Sequence, residues 1–283
     1  MSFWLIRQKK SLISRKPIIF MIKQSIYIEK YLNNRPMFLA VIRTPEALLF
    51  QKHSRLIKKP ILDFGCGDGF FCETVFGKEK INIGLDIKNE WTEKIINKKI
   101  YKKIVLYNGK KLPFKDNYFQ TIVSNCVLEH ILNIDYSLKE IYRVLKPDGY
   151  FITTVMTDKW NNYLLGKKLL GNYYVNYMRR KQTHHHLFSY QRWTNLFKKT
   201  GFKIIKAVGY LNEKNSCFMD LSHYLSLLSL ITYQLFNNWQ IFPRLNIFLW
   251  KNFITKNINI RVNVKKSSAL FFCLYKQTES KEF

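Results

Sequence analysis

The sequence predicts an α/β fold, and three observations carry that prediction. The run Ile61-Leu62-Asp63-Phe64-Gly65-Cys66-Gly67-Asp68-Gly69 reads as a short buried strand breaking into a glycine loop that opens a helix. A second apolar run, Ile81-Asn82-Ile83-Gly84-Leu85-Asp86, ends in an acid seventeen residues after Gly69, where a βαβ unit brings its next strand alongside the first. Strand-like and helix-like segments then alternate from Pro60 to Val155, with boundaries expected at Gly77, Gly109 and Gly149.

Taken in order, Met1 to Lys59 reads as a basic, aromatic helical segment broken by Pro17, Pro36 and Pro45, with Thr44-Pro45-Glu46 as a helix start. Its first acid is Glu29, which admits a targeting segment, but no processing signature accompanies it. The apolar stretch Ile18–Ile22 is too short to span a membrane. The loop that follows is G-x-G-x-G, neither the G-x-G-x-x-G of dinucleotide enzymes nor the G-x-x-x-x-G-K-S/T of phosphate loops. Alternate glycines let bare main chain approach a ligand, and the helix behind them points N–H groups at it. Asp86, at the C-terminal end of its strand, can accept both hydroxyls of a ribose; a helix N-cap is the plainer alternative. Residues 156–186 place Trp160, Tyr163, Tyr173, Tyr174 and Tyr177 among basic residues, a composition suited to covering an acceptor and equally to an ordinary helical insertion. Ser189 caps a helix over Tyr190–Lys199, and Gly201-Phe202 opens a strand.

The order and spacing of the glycine loop, Asp86, Leu112-Pro113-Phe114, Tyr118 to Ile131 and Glu140 to Phe151 closely resemble class I S-adenosylmethionine-dependent methyltransferases, specifically the type 11 group. The resemblance is strong from Pro60 to Val155 and weaker from Leu187 to Tyr210. It implies a Rossmann-like, seven-stranded mixed sheet with helices on both faces, its last strand antiparallel over Ser268–Lys276, plus an N-terminal helical segment and a helical insertion before the last strand. It also implies S-adenosyl-L-methionine as cofactor. Gly65, Gly67 and Gly69 would pack under its methionyl part, and Asp63 would help hold the ammonium group. Asp86 would take the ribose hydroxyls, Ile87 would lie against the adenine, and Asn125 would complete the cofactor site. Asn108 stands where the family commonly has an acid facing the adenine amino group; its side-chain oxygen accepts but carries no charge. Gln120 and Asp148 also depart from the family's usual Asp and Gly. No catalytic residue stands out, because the sulfonium is already activated and the acceptor needs only placement about 3 Å away and, for a hydroxyl, loss of a proton. His130 and His185 are the candidate bases, although the plainer and favoured reading of His130 is a structural cap of its loop.

Composition bounds the partners. The 283 residues suffice for one domain with appendages, 1–59 forming the basic helical segment and 60–283 the methyltransferase domain, with 156–186 as cover and 212–264 as insertion. Forty-seven basic against nineteen acidic residues give +28, enough to draw the chain to nucleic acid or anionic lipid. The lysines are scattered, with no run longer than triplets such as Arg179-Arg180-Lys181, so coding bias toward Lys, Asn and Ile accounts for the excess as well as a functional surface does. Cys66, Cys72, Cys126, Cys217 and Cys273 show no paired spacing, which argues for a reducing, cytoplasmic compartment and against a disulfide framework or zinc site. The triplet His184-His185-His186 has no neighbouring acid or cysteine and cannot turn all three rings to one ion, so no metal is expected.

Leu221 to Pro243 contains no Asp, Glu, Lys or Arg, and puts Leu221, Tyr224, Leu225, Leu228, Ile231, Leu235, Trp239 and Phe242 near one helical face. Interspersed Ser, His, Gln and Asn exclude a membrane span, leaving a core-packed hairpin, a helix in the bilayer interface, or a partner-helix surface. The expected activity is methyl transfer to a small-molecule or lipid- or sugar-linked acceptor, with an anionic membrane surface, on the inner face, as a candidate partner. RNA is the less favoured substrate, since Ser124-Asn125-Cys126-Val127 replaces an Asn-Pro-Pro-Tyr-type tetrapeptide. A non-catalytic, membrane-associated accessory protein is the remaining alternative.

Overall fold

The computed structural model describes residues 23–278 apart from 79, 90, 91, 93, 94, 96–98, 241, 259 and 260. Pro17, the stretch Ile18–Ile22 and the side chain of Leu228 lie outside the described residues. Helix α1 covers 23–34 and α2 Met37–Lys52. There follow β1 (Ile61–Phe64), α3 (Phe70–Phe76), β2 (Ile81–Ile87), β3 (Tyr101–Tyr107), β4 (Phe119–Asn125), α4 (Ile134–Val144) and β5 (Leu145–Met156). Then come α5 (Lys159–Tyr163), α6 (Leu165–Lys181), α7 (Tyr190–Lys199), β6 (Phe202–Gly209), α8 (Glu213–Leu225), α9 (Leu227–Phe236), α10 (Pro243–Asn257) and β7 (Ala269–Lys276).

One seven-stranded sheet has the order β3-β2-β1-β4-β5-β7-β6. Strands β1 to β5 pair in parallel, and β7 runs antiparallel between β5 and β6, as the sequence led us to expect. Period-two alternation sorts each strand onto two cores. Ala269, Phe271 and Cys273 of β7 face one apolar cluster, and Leu270, Phe272 and Leu274 the other. The second cluster is closed by Leu138 and Ile141 of α4 with Trp193 and Phe197 of α7. The strand order reverses between β1 and β4, which puts a crevice at the carboxyl ends of those strands.

The first cluster is closed by the N-terminal helices, so the segment before residue 60 shares the core of the sheet. Tyr27, Leu32, Ala40 and Phe50 belong to it with Val123 and Phe271, and the Phe50 and Phe271 rings meet edge to face at 5.4 Å. Helix α2 continues through Pro45, where a break was expected. An interior proline costs roughly 3 kcal/mol. Burial of Val41, Ile42, Leu48, Leu49 and Phe50 at about 1.5–3 kcal/mol each outweighs it. Gly149, expected at a boundary, falls inside β5, since the turn at Asp148 (φ 61°) lies within that strand's span.

The charge-free stretch is not one helix. The Ser226 hydroxyl donates to the Ser222 carbonyl at 2.7 Å where α8 ends, the left-handed Asn237 (φ 52°) stops α9, and Pro243 starts α10. These helices lean on the N-terminal pair. Gln240 Nε2 donates to the Arg35 carbonyl (2.8 Å), Gln24 Nε2 to the Thr255 carbonyl (3.0 Å), and Lys251 pairs with Glu29.

Candidate active site

The glycine loop joins β1 to α3 in a conformation that side chains resist. Gly65, Gly67 and Gly69 all have positive φ (77°, 52° and 73°). A Cβ on Gly65 would stand 2.4 Å from the Val127 side chain, whereas Gly67 opens onto free space. The Gly67 N–H donates to Asp86 Oδ2 at 2.7 Å, and the Ile87 N–H to Oδ1 at 2.8 Å. Burial pushes the Asp86 carboxyl up, and these two N–H groups pull it back toward the charged form. Ile87, half exposed, pairs in register with Tyr107, so the exposed Asn108 stands beside the end of β2. Asp86, Ile87 and Asn108 thus form an open shelf at the ends of β2 and β3.

Beside that shelf, over the switch point, lies a cavity of about 520 Å³ lined by Asp63, Gly65, Gly67, Asn125, Tyr31 and Arg43 among others. Asp63 is buried and accepts from the Tyr101 hydroxyl (2.5 Å) and the Cys72 thiol (2.8 Å) on the same oxygen, Oδ2. Desolvation pushes its pKa up to about 6 against those two bonds. The roof comes from the N-terminal helices, to which sequence reading assigned no site residue. Arg35 pairs with Asp68 of the glycine loop and lies 4.0 Å over the Phe70 ring. The buried Tyr31 hydroxyl lines the cavity and has no hydrogen-bond partner among the described residues.

Glu46 of α2, fully buried, ties this roof to the sheet. Its Oε2 accepts from Arg43 Nη1 and Asn125 Nδ2, both at 2.8 Å, and its Oε1 from the Tyr210 hydroxyl at 2.7 Å and the Cys126 thiol at 3.3 Å. Asn125 Oδ1 accepts from the same Arg43 nitrogen at 2.8 Å, and its Nδ2 also donates to Thr154 Oγ1 at 2.7 Å. Arg43 is thereby held firmly charged by Glu46 despite desolvation.

A second cavity of about 320 Å³ adjoins the first, sharing Phe38, Leu39, Arg43 and His223 with it. Its wall is largely apolar, with Met156, Trp160, Leu164, Met178 and Met219, and it also presents Glu129, His130 and His184. His130, expected after β4, is there with its Nδ1 3.2 Å from the Thr183 carbonyl. His185, the other candidate base, is exposed and lines neither cavity; its neighbour His184 turns inward instead. No acid neighbours the triplet in sequence, but the fold brings Glu129 to it: the His185 and His186 N–H groups both donate to the Glu129 main-chain carbonyl (2.9 and 3.0 Å). That acid lies 55 residues upstream of His184, a pairing that no local pattern displays.

The family described as methyltransferase domain matches residues 34–207. An uncharacterised protein of Methanocaldococcus jannaschii is 28% identical over 164 residues, covering 53% of this chain and 63% of that relative. A demethylmenaquinone methyltransferase of Lactiplantibacillus plantarum is 28% identical over 167 residues, covering 50% of this chain and 70% of its own length. The fold is similar to that of a SAM-dependent methyltransferase from Thermotoga maritima (TM-score 0.55, 17% identity), with 90% of this chain and all of that one covered.

Proposed function

The chain belongs to the methyltransferase-domain family and is an S-adenosylmethionine-dependent methyltransferase; from that premise we infer that it methylates an apolar, lipid-linked acceptor at the inner face of a membrane. The observation that carries this reading is the second cavity, apolar-walled and adjoining the first, with Phe38, Leu39, Arg43 and His223 lining both. The residues present fit the cofactor. Bare main chain at Gly67, a stranded Tyr31 donor and the buried Asp63 carboxylate line the first cavity, and the Asp86 carboxylate, bonded to the Gly67 N–H, borders it, so that together they supply partners for methionyl, ammonium and ribose groups. The cofactor brings a methyl group on an activated sulfonium, so the protein's own work is placement. In this reading Asp86 holds the ribose from the shelf, Ile87 and Asn108 border the adenine, Asp63 faces the ammonium, and Asn125 closes the passage toward the acceptor. Demethylmenaquinone, in the name of one relative, is an acceptor of the apolar class.

Membrane delivery is supported by surface as well as cavity. Helix α9 lends Leu227 and Leu230 to the first cavity while exposing Ile231, Leu235 (70%) and Phe236. Phe248 of α10 (80%) and Leu169 of α6 (79%) are further exposed apolar side chains in a chain of charge +28. No helix among the described residues is long and apolar enough to cross a membrane.

The test is vesicle flotation combined with transfer of labelled methyl. The protein should float with phosphatidylglycerol vesicles and be released by salt. Changing Leu235 and Phe236 to Ser should reduce flotation at least fivefold without altering cofactor affinity. Label from the cofactor should enter the solvent-extracted lipid of a membrane fraction. Protein that stays soluble with anionic vesicles at low salt, or label that enters RNA or the aqueous phase, overturns the reading.

Asp63 adds a pH dependence. Its carboxyl is protonated as pH falls through about 6, so cofactor affinity should fall between pH 7.5 and 5, and Asp63→Asn should be weak and flat across that range. Folding stability from this group runs the other way. A folded pKa above the unfolded value of about 3.9 means that its contribution grows as pH drops from 6 toward 4. Calorimetric titrations at several pH values, with thermal melts alongside, separate the two; equal affinity at pH 5 and 7.5 removes Asp63 from the ammonium site.

A further inference from the structure

Three side chains far apart in the chain converge on the wall of the second cavity. Ligand atoms of Glu129, His130 and His184 lie within 4.8 Å of one another. Glu129 is fully buried and His184 is 8% exposed. Two of their atoms, Glu129 Oε2 and His184 Nδ1, have no hydrogen-bond partner among the described residues. A buried carboxylate oxygen left without a donor is costly, and its charged neighbours in this cavity are engaged. Arg43 Nη1 serves Glu46 and Asn125, and the Asp220 carboxylate takes the Tyr174 hydroxyl (2.6 Å) and the Gly166 N–H (2.9 Å).

The surroundings hold the cluster in place. The two N–H bonds from His185 and His186 to the Glu129 carbonyl pin the chain that carries His184. Trp160 packs edge-on against the His184 ring at 4.9 Å. His130 Nδ1 faces the Thr183 carbonyl, an arrangement that puts the proton on Nδ1 and leaves the Nε2 lone pair available.

We propose that Glu129, His130 and His184 bind a divalent transition-metal ion in the second cavity. Two imidazoles and a carboxylate suit zinc and its neighbours in the first transition row, and three protein ligands leave coordination positions open. Ligands about 2.0–2.2 Å from one ion stand roughly 3.5 Å apart, so about 1 Å of side-chain movement closes the set. The open positions face the cavity, where they would orient a hydroxyl or enolate oxygen of the acceptor. That orienting role rests on the acceptor reading above; the binding of the metal does not.

Cobalt(II) is the probe, added to the full chain without cofactor and followed by calorimetry and visible absorption. One ion should bind per chain and be displaced by Zn²⁺. His184→Ala and His130→Ala should each weaken binding at least tenfold while cofactor affinity and a cooperative melt are kept. Glu129→Gln, which preserves the contact from the Met156 N–H, should do the same. His185→Ala should leave Co²⁺ affinity unchanged. Failure of the folded chain to take up one equivalent, or uptake that survives His184→Ala and is lost in His185→Ala, overturns the site. Tight metal binding without labelled lipid in the transfer assay upholds the metal and overturns the acceptor reading alone.

Discussion

Asp86→Ala is expected to weaken S-adenosylmethionine binding about a hundredfold. Two charge-assisted hydrogen bonds to ribose hydroxyls, at about 1.5 kcal/mol each, sum to about 3 kcal/mol, and each 1.4 kcal/mol is tenfold in affinity. The same carboxylate accepts from the Gly67 N–H at 2.7 Å, so its loss also slackens the glycine loop that the proposed reading puts under the methionyl part. Asp86→Asn keeps one acceptor oxygen, enough for the Gly67 N–H, but loses the charge and the second oxygen that accepts from the Ile87 N–H; its affinity should fall between the two, down roughly tenfold. The substitution leaves the sheet intact, since Asp86 sits at the open end of β2 and its neighbour Ile87 is already half exposed. Calorimetric titration of the three proteins with the cofactor and its demethylated product decides the matter. Unchanged affinity in Asp86→Ala would remove the carboxylate from the ribose site.

Asp86 was legible because its signal is local. A strand, a glycine loop with positive φ at alternate positions and a second strand ending in an acid form one βαβ unit, and chain connectivity alone brings Asp86 beneath Gly67. The seven-stranded mixed sheet and its antiparallel last strand were implied by the resemblance, whereas the strand order β3-β2-β1-β4-β5-β7-β6 is seen only in the structure. What stayed hidden is nonlocal. Glu46 reads in the sequence as the third residue of a helix start, yet it is a fully buried acceptor serving partners up to 164 residues away. His184 reads as one of three equivalent histidines, and only the bonds from the next two N–H groups to the Glu129 carbonyl decide which ring turns inward. The charge-free stretch after β6 showed an apolar period but concealed its breaks, because a serine hydroxyl bonded one turn back and a left-handed asparagine are ordinary residues until packing assigns them.

Glu46→Ala is expected to lower stability by about 3 kcal/mol and the melting temperature by roughly 6–12 °C. Breaking a buried ion pair costs about 3–5 kcal/mol because it leaves an uncompensated charge. The low end applies here, since the Arg43 side chain remains 22% exposed and its guanidinium can recruit water. The hydroxyl of Tyr210, fully buried, and the amide of Asn125 lose their acceptor at the same time, although Asn125 keeps its bond to Thr154. Tyr210→Phe is the contrasting variant. It deletes one donor and leaves Glu46 with Arg43 and Asn125, so it should cost no more than about 1 kcal/mol. Because Arg43 and Asn125 both line the first cavity, Glu46→Ala should also weaken cofactor binding, whereas Tyr210→Phe should not. Thermal melts and titrations of the two variants check both statements. If Glu46→Ala and Tyr210→Phe melt within a degree of each other, the carboxylate is not what couples the N-terminal roof to the sheet, and apolar packing of α2 alone holds it there.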